Sequence, residues 1–257
     1  MKRVFITGAS SGIGAALATH YARQGATLGL LARRTASLDA LIATLPNPHL
    51  HRAYGVDVRE HAALRAAAAD FLGHAGGIDV VIANAGISHG TLTEHLEDLP
   101  VFADIVATNL TATAATFAPF IAAMRAQRTT GKLVGIGSVA GIRGLPGAGA
   151  YSASKAAVMT YCESLRIEMR SHGIDVVTIA PGYIDTPMTR HNPYPMPFLM
   201  APEAFAARAV RAIDAGAAYR VIPWQMGVVA KLLRLLPVAL YDLAFARAPR
   251  KPRQTPP

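Results

Sequence analysis

Apolar runs alternate with longer stretches of helical periodicity along the first 223 residues. Arg3–Thr7, Thr27–Ala32, His51–Val56, Ile78–Ala83, Lys132–Gly137, Ile174–Ile179 and Tyr219–Ile222 predict strands. Between them, Ile13–Gln24, Leu38–Leu45, His61–His74, Leu99–Thr108, Leu110–Arg128, Tyr151–Ser171 and Pro202–Ala215 predict helices, the fifth interrupted by Pro119. Strands that are apolar throughout are buried on both faces, which requires helices on either side of a parallel sheet. The expectation is an α/β protein with a doubly wound, seven-stranded parallel sheet. No internal repeat or low-complexity linker interrupts the alternation, so residues 1–223 read as one domain.

Composition supports a large core. Of 257 residues, 52% are apolar and 16% charged, which argues against disorder. The one cysteine, Cys162, excludes an intrachain disulfide framework and a cysteine zinc cluster, and fits a reducing compartment, most simply the cytoplasm. Met1-Lys2-Arg3 mimics a signal peptide, but the apolar run after it stops at Thr7-Gly8. No uncharged span reaches transmembrane length. Nine histidines form no array with carboxylates or cysteines, so no metal is expected.

The charge changes the picture only at the C-terminus. Of the net +9, Arg220, Lys231, Arg234, Arg247, Arg250, Lys251 and Arg253 against Asp242 supply +6. No nucleic-acid-binding module accompanies this cluster, so no nucleic-acid partner is expected. Residues 224–257 form an amphipathic basic extension in which Pro237 kinks or splits the helical pattern and 250–253 make a flexible basic end. Two readings stand: a helix packed on its own or a partner subunit, which is preferred, or an interfacial helix in peripheral contact with the inner face of an anionic membrane.

In an open α/β sheet, ligands bind beyond the carboxyl ends of the strands. The informative residues fall there. After the first strand, Gly8-Ala9-Ser10-Ser11-Gly12-Ile13-Gly14 leads directly into a helix, a turn suited to a pyrophosphate at the helix N-terminus. Arg33 and Arg34 follow the second strand, where an acid would bind a bare ribose 2′-hydroxyl and arginine suits a 2′-phosphate. NADP(H) is therefore favoured over NAD(H). Asp57-Val58 follows the third strand, where the carboxylate could bind an adenine edge or cap the next helix. Asn84-Ala85-Gly86 closes the fourth with small residues that admit a ring or ribose. Asn109 lies between two helices, Ser138 ends the fifth strand, and Tyr151-x3-Lys155 places a phenol and an ammonium one helical turn apart. A cation beside the phenol lowers its pKa, and Ser138 and Tyr151 can converge on one substrate oxygen. Pro181, Gly182, Ile184 and Thr186 follow the sixth strand, a segment suited to lying over a nicotinamide.

Taken together, Thr7-Gly8-x3-Gly12-Ile13-Gly14, Asn84-Ala85-Gly86, Asn109, Ser138, Tyr151-x3-Lys155 and Pro181-Gly182 resemble the short-chain dehydrogenase/reductase family over residues 1–223. The resemblance implies a Rossmann fold and hydride exchange between a nicotinamide and a carbonyl or alcohol carbon. It implies Tyr151 as acid in reduction and base in oxidation, Ser138 as donor to the substrate oxygen, Lys155 on the nicotinamide ribose and tuning the tyrosine, and Asn109 supporting a proton relay. It also implies a homodimer or homotetramer through helices 110–128 and 151–171, and a substrate lid at 186–202. The methionines, Phe198 and Leu199 of that lid suit a small apolar carbonyl or alcohol substrate, such as a lipid-like ketone, 3-oxoacyl chain, steroid or aromatic carbonyl. The rival class is a catalytically silent NADP-sensing or membrane-associated binding protein on the same fold. The positioned acid argues for the enzyme.

Overall fold

The computed structural model describes residues 1–127, 130–190 and 192–253. Strands β1 Arg3–Thr7, β2 Thr27–Ala32, β3 Arg52–Gly55, β4 Val80–Ala83, β5 Lys132–Ile136, β6 Asp175–Pro181 and β7 Tyr219–Ile222 form one sheet in the order β3-β2-β1-β4-β5-β6-β7. Each neighbouring pair is parallel. Helices α1 Gly12–Arg23, α2 Thr35–Thr44, α3 His61–Ala75, α4 Leu99–Val106, α5 Ala112–Ala126, α6 Gly149–Met169 and α7 Pro202–Asp214 alternate with the strands and cover both faces. Successive side chains of a strand point to opposite faces, so β1 feeds two cores. Val4 and Ile6 pack with Leu17 of α1 and Phe205 of α7, whereas Phe5 packs with Phe71 of α3 and Phe120 of α5.

The expected sheet is present, with shorter strands at β3, β4 and β5. The outermost strands, β3 and β7, are not apolar and buried throughout: each has an edge that faces solvent, and both ends of β3 and the first two residues of β7 are exposed. The larger difference lies between α4 and α5. The two helices expected there are one continuous helical run, joined by a π turn at Ala107–Thr111. The extra residue of that turn shifts the helical phase, which reads in the sequence as a break. Pro119 does not interrupt α5 either; buried Thr116, Phe117 and Phe120 hold the helix on the sheet across it. The expected end of this helix, Arg128, lies outside the described residues. The run Leu96–Ala126 is long and apolar enough to cross a membrane by length and composition, contrary to the sequence expectation. Ile105, Phe117, Phe120 and Met124 of this run are buried in the core.

Beyond β7, α8 Trp224–Leu235 and α9 Val238–Phe245 are separated at Pro237. Met226, Ala230 and Tyr241 are their buried side chains. The Arg143 guanidinium fastens the pair, donating to the carbonyls of Leu233 and Leu236 and lying 3.9 Å from the Tyr241 ring centroid. Residues 250–253 do not form a free basic tail. Arg253 pairs with Glu97 and buried Asp98, Lys251 Nζ donates to Ser88 Oγ at 2.9 Å, and Gly90 N donates to Pro252 O at 3.0 Å. Arg253 holds the Asp98 carboxyl below its ordinary range, so a buried charge that needs a partner explains the docking.

Candidate active site

The strand order reverses at β1, whose neighbours are β2 and β4, and a cavity of about 550 Å³ opens at the carboxyl ends of the strands. Gly8, with φ +67°, and Gly12, with φ +54°, shape the turn after β1. A Cβ at Gly8 would stand 2.7 Å from Ala85 Cα, so only glycine lets the two turns approach. Asn84 Nδ2 donates to the carbonyls of Thr7 and Gly8, while Thr7 Oγ1 accepts from the backbone of Asn84 and Ala85. Ser11 provides no side-chain cap for α1, so the first N–H groups of that helix remain available to an anion.

Ser10, Ser11, Gly12, Ile13, Arg33, Arg34, Val58, Ala85, Gly86, Pro181, Ile184 and Thr186 line the same cavity as Gly8, Asn84 and Gly182. Gly14 does not. It lets α1 sit against the turn, because a Cβ there would collide with the Gly8 carbonyl. Arg34 Nη2 donates to Ser10 Oγ at 3.3 Å and spans the β1 and β2 turns. Asp57 also lines the cavity, but its carboxylate is taken by Arg59, which holds its pKa down and also pairs with Asp104. Asp57 does not cap α3, whose N-cap residue is Glu60.

On the other side of the cavity stand Ser138, Tyr151 and Lys155. Ser138 caps a short 3-10 turn, Val139–Gly141, with its Oγ accepting from Ala140 N at 3.1 Å. The turn packs onto the first part of α6, since a Cβ at Gly141 would meet the backbone of Lys155 and Ala156. Lys155 Nζ is buried, donates to Ile136 O at 2.8 Å and sits 5.9 Å from the Tyr151 ring centroid. Burial raises the Tyr151 pKa, and the Ser138 hydroxyl opposes that shift without reversing it. Burial also lowers the Lys155 pKa to about 8. The expected lowering of the tyrosine by the lysine does not appear: desolvation of the phenol raises its pKa, and the group that opposes it is Ser138.

Asn109 lies behind these groups, fully buried in the π turn and not on the cavity wall. Its Oδ1 accepts from Ile87 N, and its Nδ2 donates to Ile87 O and Ser154 Oγ. Ser154 Oγ in turn donates to Tyr151 O. Asn109 thus ties the loop after β4 to the first turns of α6. Gly86 separates it from the lysine: a Cβ there would lie 3.1 Å from Asn109 Oδ1 and 3.5 Å from Lys155 Nζ.

Among the side chains at the site that the sequence did not mark are His89 and Tyr194. His89 lines the cavity, and burial followed by the Lys251 charge lowers its pKa. Tyr194, in the 186–202 segment, packs on Tyr183 at 6.4 Å between centroids and lies close enough to Tyr151 for its pKa to be raised by it, although burial is the main cause. Neither belongs to a periodic element, so only their proximity in sequence to Gly86 and Thr186 could have marked them. His191, in the same segment, lies outside the described residues. Met188 supplies an apolar wall. Among the described residues, no group of three or more His, Cys, Asp or Glu is placed to hold a metal.

The profile of the short chain dehydrogenase family matches residues 2–195. The chain belongs to this family. An uncharacterized oxidoreductase of Myxococcus xanthus is 38% identical over 254 residues, 96% of this chain and 97% of the relative. A 3-oxoacyl-[acyl-carrier-protein] reductase of Vibrio cholerae is 34% identical over 74% of this chain and 76% of its own length. The solved short-chain dehydrogenase of Streptomyces avermitilis superposes with a TM-score of 0.81 at 26% identity, covering 96% of this chain and 97% of that one. This short-chain dehydrogenase is accordingly an oxidoreductase acting on CH–OH groups, with a Rossmann fold that binds a nicotinamide cofactor. The glycine turn, the uncapped start of α1 and the small residues of Asn84-Ala85-Gly86 fit such a dinucleotide.

Proposed function

We propose that this short-chain dehydrogenase uses NADP(H) to interconvert a carbonyl and a secondary alcohol on an apolar substrate. The observation that carries the reading is the convergence of Ser138, Tyr151 and Lys155 on one cavity with the glycine turn of β1. The dinucleotide, when bound, supplies or accepts the hydride. The chain's own part is to manage charge on the substrate oxygen. As that oxygen becomes negative during reduction, Ser138 donates a hydrogen bond to it and Tyr151 gives it a proton. The raised pKa of Tyr151 keeps the phenol protonated at neutral pH, which suits the donor role. In oxidation Tyr151 takes the proton back. Lys155, held by the Ile136 carbonyl, places its ammonium beside the Tyr151 ring and would bind the nicotinamide ribose of a bound dinucleotide. Asn109 fixes the start of α6, and the side-chain-free Gly86 leaves space beside both Asn109 and Lys155 for a proton relay.

Arg33 and Arg34 at the end of β2, without an acid at that turn, support NADP(H) over NAD(H). Met188 in the cavity wall and Phe198 and Leu199 in the lid support an apolar substrate, as do the names of the 3-oxoacyl reductase and of an Arabidopsis thaliana 11-beta-hydroxysteroid dehydrogenase, 33% identical over 74% of this chain and 54% of its own length. Exposed Leu99 and Phe102 on α4 and Ile167 on α6 support a homo-oligomer.

Tyr151→Phe is expected to cut NADPH oxidation across a carbonyl panel by about 10²–10⁴-fold. NADPH binding, read by fluorescence, should be retained. Undiminished turnover by that variant would remove Tyr151 from the chemistry. For the cofactor, Arg33→Ala should raise the KM for NADPH much more than that for NADH, and an equal effect on both would count against the 2′-phosphate reading.

A further inference from the structure

The C-terminal helices leave a large apolar surface outside the protein. On α8, Met226 and Ala230 are buried, with Met226 packed over Gly182. At about 100° per residue, Trp224, Val228, Leu232 and Leu235 fall in one stripe on the opposite side of the helix. That stripe is open to solvent: Leu232 is 61% exposed, Trp224 67% and Leu235 79%. Across Pro237, α9 adds exposed Val238, Leu240 and Leu243. The two helices therefore use one side to dock on the domain and hold a second apolar side away from it.

We propose that this face rests on an anionic lipid bilayer. Charge decides between lipid and a second copy of the chain. Lys231 lies at the edge of the stripe, and Arg247 and Arg250 follow the two helices, while Arg234 donates back to Ile142 O at 3.1 Å; Asp242 is the one acid between Trp224 and Arg253. A two-fold contact through this face would bring the basic residues of both copies together, with one aspartate from each to offset them. Lipid phosphates accept these cations while the apolar stripe enters the acyl boundary and the Trp224 ring sits at headgroup depth. With 12 and 8 residues and a break at Pro237, α8 and α9 are too short to span a bilayer and suit lying along it.

The seating of α8 links this surface to the cavity. Met226 packs over Gly182, a cavity-lining residue, and Arg143, in the segment between Ser138 and Tyr151, holds the end of α8. Docking would thus present the substrate side of the domain to a lipid phase that dissolves apolar carbonyl compounds. That consequence rests on the proposed reaction; the docking does not.

The test is co-sedimentation of the full chain with vesicles of phosphatidylcholine alone and of phosphatidylcholine mixed with phosphatidylglycerol. Binding should be about tenfold greater to the mixed vesicles and weaken with added salt. Lys231→Gln should lower it about fivefold, and the double variant Leu232→Ser with Leu235→Ser about tenfold or more, with NADPH binding unchanged in both as evidence of an intact fold. No preference for anionic vesicles, or variants that bind them like the parent, would overturn the proposal. So would a lipid-free dimer that Leu232→Ser with Leu235→Ser dissociates, since it assigns the face to a second copy. Vesicle binding without any carbonyl reduction would leave the docking standing and sink the reaction instead.

Discussion

The start of α6 and the pair α8–α9 break the ordinary distribution of residues in opposite directions. Along α6, Ser152, Ser154 and Lys155 are polar and buried. Along α8 and α9, Leu232, Leu235 and Leu243 are apolar and exposed. A buried polar group and an exposed apolar patch are the two departures that carry information, since each has a cost that must be offset. Inside, the offset is internal: Asn109 satisfies Ser154, and Ile136 O satisfies Lys155. Outside, nothing among the described residues covers the leucines. The first departure is complete within the chain and lies where the proposed chemistry takes place; the second is left open to another surface.

The strongest way to break this division is through Ser138. Ser138→Ala removes the proposed donor to the substrate oxygen and should lower kcat about 10²–10³-fold, with KM for NADPH nearly unchanged. Vesicle binding should not change. A loss of both would mean that the two regions form one unit.

How much of this division is visible without coordinates depends on how local its causes are. Strands β1, β2 and β7 run where the sequence places them, because each is bounded by turn residues next to it. Gly8, Asn84 and Ser138 could be found because each follows a strand end, where the fold collects ligands, and Tyr151 because Lys155 lies one helical turn on. The setting of Asn109 was hidden: the π turn that buries it looks like a gap between two helices. The commitment of Asp57 to Arg59 was also missed, because a carboxylate at a strand end looks the same free or paired. The docking of Arg253 on Asp98 joins residues 155 positions apart, and no periodicity reports such a contact.

The next test concerns the cost of burying Lys155. Its folded pKa of about 8 lies below the unfolded value of about 10.4, so between these values the unfolded chain binds more protons than the folded one. Stability should therefore rise with pH across that window. Lys155→Met removes this contribution while any packing change it introduces stays independent of pH. The stability advantage of the variant over the parent should thus shrink by roughly 2 kcal/mol from pH 7.5 to pH 10, measured by denaturant unfolding without added nucleotide. A difference that stays flat with pH would mean that the ammonium is not desolvated, and the buried-polar half of the comparison would fail.

The smallest effect separates the regions from the outer side. Among the described residues, Arg143 is the one side chain that reaches from the segment next to Tyr151 to the carbonyls of both Leu233 and Leu236, and its charge favours the C-terminal end of α8. It also covers the Tyr241 ring, whose hydroxyl returns a hydrogen bond to Gly144 O. Arg143→Ala removes these contacts and leaves the groups around Lys155 in place, so it should cost about 1–2 kcal/mol. The loss should appear as faster proteolytic nicking between Leu235 and Val238 and weaker vesicle binding, with kcat on a small, freely soluble ketone within about twofold of the parent. A fall in kcat as large as that of Ser138→Ala would show instead that α8 holds the Ser138 turn in its catalytic geometry. The outer helices would then be part of the site and not only its mooring.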